Sequence, residues 1–197
     1  DITKFMNNQT IRAIKSGFNK HLLDNAIDKF DVSYDKVSNA IHPTKFTDRN
    51  GGCLAEIPAS DVGTMFVDGL TAQNYFFDEI YFDSELERKN ILQNIEEVIV
   101  FTKIPKNSIK IPVAGGFTYS PDFAYIIKDN AGNKSLSLIV ETKNKAKRDL
   151  YIDEKQKIKH AEKLFANSDV GFSVKFKTQF DADQITDIFK NVCRKTP

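Results

Sequence analysis

The chain has 197 residues and 22.4 kDa, enough to bury the core of one sizeable domain, with 41% hydrophobic and 28% charged residues in an ordinary globular balance. No apolar run reaches the ~18 residues of a membrane span, and Cys53 and Cys193 stand far apart without CxxC spacing, which argues against a disulfide framework or a zinc site and for a reducing, cytoplasmic home. Net charge is only +1, but residues 1–100 carry ten Lys/Arg against sixteen Asp/Glu, and residues 101–197 carry eighteen against eleven. The N-terminus, DITKFMNNQT, has neither an initiator Met nor a signal-peptide apolar stretch and reads as cut from a longer chain.

In chain order, Ile11, Ile14, Phe18 and Leu22 recur at helical spacing and predict a helix over residues 9–29. A second helix is expected from Ser33 to Ile41, ending before Pro43. Residues 42–63 read as loop with short extended pieces, and the aromatic stretch 64–82 fits strand or helix equally. Ser84 is a natural cap for a helix to about Ile95, with Leu86, Ile91 and Ile95 on one side.

Strands follow. Val98–Phe101 is one, and Phe117–Ile127, interrupted at Pro121, is a second. The turn Asn130–Asn133 joins the second to Leu136–Lys143 as a hairpin. A helix is expected over Asp153–Phe165, a half-buried strand over residues 172–178, and a last helix over Asp183–Cys193. From residue 84 onward the order is α-β-β-β-α-β-α, an α/β fold with a mixed sheet flanked by helices.

The chemistry concentrates at Pro121-Asp122 and at LIVETK, which ends in Glu141, Thr142 and Lys143. Phosphodiester hydrolysis needs charge neutralised on the phosphate, an activated water and a stabilised leaving oxygen, and a hard divalent cation can serve all three. Magnesium takes one or two protein carboxylates with waters and phosphate, and Asp122 and Glu141 suit that task. Pro121 removes a backbone donor, so the strand should diverge there. Glu141 and Lys143, two apart on a strand, share a face. The ammonium of Lys143 can then position water and phosphate. The bare PD…ExK pattern also arises from a turn aspartate plus a surface Glu–Lys pair. What favours a metal-dependent nuclease is the apolar run entering Glu141 and the hairpin between the half-motifs.

Glu87 is a third candidate acid, with Glu85, Asp83 and Glu79 nearby, although Ser84-x-x-Glu87 is also a capping box, and spacing alone favours capping. The stretch Lys143–Lys163 holds eight basic and four acidic residues, a stripe for phosphates or a solvated helix face. His21, His42 and His160 lack metal-binding spacing and read as surface or loop residues. Gly51-Gly52 and Gly115-Gly116 form no phosphate-binding loop and read as turns. The sixteen Phe are expected in the core, with Tyr119 and Tyr125 as exceptions able to stack on bases.

The segments FTDRNG, SDVG, YFDSELERKNI, VIVFTKIPKNSIKIPVAGGFTYSPDFAYII, LIVETKNK and EKQKIKHAEKLF resemble the C-terminal part of the restriction (Res) subunit of type III restriction enzymes, over nearly the whole chain. The resemblance implies a restriction-endonuclease-like PD-(D/E)xK core over residues 71–197, with a helical extension over residues 1–70 as connector or tail of a helicase-like motor. It implies cleavage of double-stranded DNA in a complex with a methyltransferase (Mod) subunit, using magnesium (manganese substituting), and ATP consumed by the motor rather than by this segment. It places Asp122, Glu141 and Lys143 at the catalytic positions and Glu87 at the upstream acid, where Asp122, Glu141 and Glu87 hold metal. The family often has Gly after the lysine of ExK, where this chain has Asn144. Lys145, Lys147, Arg148 and Lys157 are the candidates for phosphate contacts. A non-catalytic DNA- or subunit-binding module of the same fold, and a standalone repair nuclease, are the competing readings.

Overall fold

The computed structural model describes residues 5–35, 45–128, 134–167 and 174–193. Its centre is a four-stranded mixed sheet in the order β3 (Val98–Lys103), β6 (Phe123–Lys128), β7 (Lys134–Lys143), β8 (Val174–Phe180). The first two pairings are antiparallel and β7–β8 is parallel. A parallel pair needs a crossover, and α4 (Ile152–Ala166) supplies it. The expected β6–β7 hairpin is present; its turn, Asn130–Asn133, lies outside the described residues.

Alternation along the strands builds two cores. Phe123, Tyr125, Ile127, Leu138 and Val140 face α3 (Glu85–Leu92) and α5 (Ile185–Cys193), where Ile91, Ile185 and Phe189 close the first core. Ile139 and Phe176 face α4, whose Ile158, Ala161 and Leu164 fill the second. In β7, residues 138–142 are buried on both faces, whereas β6 alternates and exposes Ile126, so β7 reads as a continuous apolar run into Glu141.

Two small elements were not expected. α2 (Ala59–Val62) is a single turn, and β4 (Ile111–Val113) pairs with β5 (Phe117–Tyr119). The strand expected over Phe117–Ile127 breaks at Pro121 as expected and forms two strands: β5 leaves to join β4, and β6 begins after Pro121. The ambiguous stretch 64–82 resolves into the antiparallel pair β1 (Met65–Val67) and β2 (Ile80–Phe82). The turn between β4 and β5 holds Gly115 at φ 81° and Gly116 at φ 76°. A side chain at Gly115 would lie 2.2 Å from the Asn19 carbonyl, so this glycine lets α1 (Asn8–Lys29) press directly onto the turn.

α1 forms where expected but buries a different stripe. Leu23 and Ala26 are buried, whereas Ile11, Ile14 and Phe18 are exposed, because only the C-terminal half packs against the rest. The helix expected over Ser33–Ile41 is absent at residues 33–35; the remainder, with His42, lies outside the described residues. The reading of His160 as a surface residue is also corrected. It is buried on α4, its Nδ1 2.5 Å from the Tyr34 hydroxyl, and its Nε2 accepts the Ala114 N–H at 3.4 Å. No helix among the described residues is long and apolar enough to cross a membrane.

Candidate active site

The site forms where β6 and β7 leave the sheet. Phe123 pairs with Val140, so Asp122 arrives beside the end of β7. Pro121 cannot continue the ladder, and Asp122 carries the join: its N–H donates to the Val140 carbonyl at 3.2 Å, and its own carbonyl accepts from Ile104 at 2.7 Å. Its side chain is then captured by β7. Thr142 donates both its backbone N–H (2.7 Å) and its hydroxyl (2.6 Å) to Asp122 Oδ2. Two charge-assisted bonds to one oxygen fix the carboxylate's direction.

Glu141 and Lys143 share the face towards α4, as their spacing requires. Lys143 Nζ lies 2.6 Å from Glu141 Oε1. Glu154, one turn into α4, stands 3.8 Å from Lys143 Nζ and 3.4 Å from Lys145 Nζ. Asp122, Glu141, Lys143 and Lys145 line one cleft of about 240 Å³, with Glu154 and Glu87 on its walls.

Burial pushes the Glu141 carboxyl up to about 8, and the Asp122 carboxylate adds to this while Lys143 opposes it. Burial also raises Asp122, against the hydrogen bonds from Thr142. Glu141 Oε2 is buried without a hydrogen-bond partner. Two desolvated acids, one raised further by the other, with an oxygen that has no hydrogen-bond partner, fit a hard divalent cation. Among the described residues, no three or more Asp, Glu, His or Cys side chains are gathered as a metal-binding group. The two-carboxylate pair is thus the donor set on view.

Glu87 lies on the same cleft but is held from the other side. Its Oε2 accepts the Asp83 N–H at 2.7 Å and lies 3.4 Å from Lys103 Nζ, a lysine only 3% exposed. The capping geometry is half as expected. Ser84 Oγ accepts the Glu87 N–H at 3.3 Å, while Glu87 reaches past Ser84 to the N–H of Asp83. Burial raises the Glu87 carboxyl, and Lys103 opposes the rise. Of the nearby acids, Asp83 is engaged by Lys103 and Thr64, and Glu85 pairs with Arg88 at 2.9 Å.

The four candidate phosphate ligands separate. Lys145 is in the cleft. Lys147 and Arg148 are exposed on the single 3-10 turn that follows it, and Lys157 pairs with Asp153 along α4 at 3.2 Å. Tyr119 and Tyr125 are 9% and 2% exposed, so neither can stack on a base; β alternation turns both rings into the cores. Residues missed from sequence are Thr142 and Glu154. Thr142 carried a signal, as the one hydroxyl inside the ExK segment. Glu154 becomes legible only once α4 is placed.

Residues 73–182 match a family model described as an endonuclease domain. The chain is 50% identical over 195 residues to the Res subunit of the type III restriction-modification enzyme EcoP15I of Escherichia coli, covering 97% of this chain and 20% of that protein. It is 50% identical over 194 residues to the EcoPI Res subunit of Escherichia phage P1, with the same coverage. The chain therefore spans about a fifth of the length of these curated relatives. No solved structure matches it.

Proposed function

The chain belongs to the endonuclease-domain family, and on that premise we propose that it hydrolyses DNA phosphodiester bonds as the nuclease segment of a type III restriction–modification enzyme. The carrying observation is the shared cleft of Asp122, Glu141 and Lys143, with Glu141 Oε2 buried and unpartnered. An endonuclease domain of this family implies a divalent metal; in this reading it is magnesium, held by Asp122 and Glu141, with manganese able to replace it. When bound, the cation supplies charge neutralisation at the phosphate and a more acidic water.

The chain's own groups do the rest. Thr142 keeps Asp122 Oδ2 aimed by two hydrogen bonds. Lys143 holds its ammonium against Glu141 Oε1, from where it can reach a phosphate oxygen or the attacking water. Burial would lower its pKa, but Glu141 outweighs this and raises it, so the lysine stays charged and acts as an electrostatic aid rather than a base. Glu154 draws Lys143 and Lys145 to one wall. Glu87 is read as an upstream acid on the opposite wall. Lys145, Lys147, Arg148 and Lys157 contact the DNA backbone, so binding is salt-sensitive and indifferent to sequence.

Residues 71–197 are the nuclease proper and residues 1–70 the connector, a division supported by the family match beginning at residue 73. The relatives' greater length and their names as subunits of type III restriction–modification enzymes support a setting within a larger assembly over a standalone repair nuclease; in this reading that assembly adds a helicase-like motor that consumes ATP and a Mod subunit, in the cytoplasm.

The test is plasmid nicking by the chain in magnesium and in manganese, with Asp122→Ala and Lys143→Ala as controls. Metal-dependent nicking that drops at least ~100-fold in both variants is expected, in line with the loss of preorganised charge at a reacting centre. Lys143→Ala cutting at the wild-type rate overturns the assignment. No nicking, together with metal binding that ignores Asp122, returns the chain to a non-catalytic binding module.

A further inference from the structure

The two residues that open α4 are exposed although both are large and apolar. Tyr151 is 69% exposed and Ile152 61%, side by side on the surface. The backbone beneath them is fixed. Leu150 is buried in the second core, Asp149 N–H closes a turn onto the Ala146 carbonyl, and Glu154 Oε2 accepts the Tyr151 N–H at 3.0 Å. Exposure here is therefore a property of a rigid corner.

That corner adjoins the cleft. Lys145, which lines the cleft with Asp122 and Glu141, places its ammonium 4.2 Å from the centre of the Tyr151 ring. Glu154 joins the two: the same Oε2 that caps Tyr151 lies 3.4 Å from Lys145 Nζ. Lys147 and Arg148 are exposed on the turn just before, and Lys147 has no ion pair among the described residues. The nearby acids Asp149 and Asp153 each stand beside a cation, Arg148 at 3.6 Å and Lys157 at 3.2 Å.

We propose that Tyr151, supported by Ile152, is a stacking platform for a nucleotide flanking the phosphate held in the Asp122–Glu141 cleft, with Lys145 bridging ring and backbone. The inference rests on the DNA-cleaving reading and names the part of the substrate bound beside it. Every base has a π-face, so an aromatic ring among cations grips nucleic acid without reading sequence. Apolar side chains beside an aromatic can wedge against or between base steps in the same way. A protein partner is the poorer occupant. An isolated pair of side chains is far below the ~800 Å² per partner of a specific interface, and its surroundings are cationic. A nucleotide satisfies both the ring and the charges.

The test uses the chain with a set of short DNAs carrying 2-aminopurine at successive positions, in calcium so that binding is read without cleavage. Tyr151→Ala is expected to weaken binding about tenfold, ~1.4 kcal/mol, and to relieve the quenching of 2-aminopurine that wild type imposes. Tyr151→Phe keeps the ring and should stay within about twofold of wild type in both readouts. Phe66→Ala, an exposed aromatic on β1 at 53% exposure, serves as the control and should change neither. Wild-type binding and quenching retained in Tyr151→Ala overturn the platform and leave the nuclease reading standing. A wild-type chain that binds no DNA overturns both.

Discussion

Two clusters of one lysine and two carboxylates meet in this small fold, and they are built to opposite ends. Lys103 lies 2.8 Å from Asp83 Oδ2 and 3.4 Å from Glu87 Oε2, and its ammonium also donates to the Val62 carbonyl. Asp83 further accepts the Thr64 N–H and hydroxyl, and Glu87 accepts the Asp83 N–H. Burial works upward on Asp83, yet bonds from Lys103 and Thr64 hold its carboxyl down to about 2. The cluster of Lys143, Glu141 and Asp122 has the same composition, but burial carries Glu141 up to about 8 and leaves Oε2 unpartnered. The difference lies in burial and in the donors each carboxylate receives, not in the residue types: Asp83 is half-buried, whereas Glu141 is 3% exposed. A satisfied cluster is scaffold; an unsatisfied one stores demand for a cation.

Removing each lysine should separate the two most sharply. Lys103→Met leaves a buried Glu87 and a half-buried Asp83 without their cation, and breaking a buried pair from one side costs about 3–5 kcal/mol. Lys143→Met should cost less than about 1 kcal/mol, because Glu141 already sits near neutrality and can keep its proton. Urea unfolding monitored by circular dichroism at pH 7 reads both. Equal losses would mean that the Lys143 pair is scaffold as well, and the contrast would fail.

Acid and alkali should attack the clusters from opposite sides. The folded Asp83 carboxyl is depressed from its ordinary 3.8, so its stabilisation is present above that value and fades as pH falls towards about 2. The folded Glu141 carboxyl is raised from 4.5, so its contribution is full below about 4.5 and is lost as pH rises through about 8. The metal-free chain should therefore lose about 4 kcal/mol between pH 5 and 9 through Glu141, and Glu141→Gln should remove that slope. Thermal melts of wild type and variant across that range decide it; parallel curves would place the Glu141 titration elsewhere. The variant should be a more stable chain that does not cut.

The sequence carried more of this contrast on one side than on the other. β7 was legible from its doubly buried apolar run, β6 and β8 from strand alternation and α4 from helical periodicity, and the cleft was legible because its chemistry occupies a few residues at strand ends. β4 and β5 were not: three-residue strands carry too little pattern, and although an interruption was expected at Pro121, nothing showed that the piece before it pairs with β4 rather than continuing the main sheet. The N-terminal stripe Ile11, Ile14 and Phe18 misled because amphipathic spacing says that a face exists, not what covers it. The Lys103 cluster was invisible for a further reason. It joins residues 62, 83, 87 and 103 across a strand, a cap and a helix, and a buried lysine in VIVFTK reads like an exposed one.

The smallest predicted effect tests the residue the two clusters share a wall through. Glu87 faces the cleft, but its Oε2 is spoken for by Lys103 and by the Asp83 N–H. If that engagement defines its role, Glu87→Gln keeps the hydrogen bond from Asp83, loses the ion pair with Lys103, and weakens the start of α3 by about 1–2 kcal/mol. Ser84→Ala, which removes only the cap, should cost about 1 kcal/mol. Metal affinity by titration calorimetry should then fall no more than about threefold in either variant, since neither replaces Asp122 or Glu141 and the push between Glu87 and Asp122 ranks behind burial and Lys103. A fall in Glu87→Gln that matches Asp122→Ala, with Ser84→Ala unchanged, would mean that Glu87 turns from Lys103 to the cation when one is bound. The satisfied cluster would then be a reserve of the reactive one.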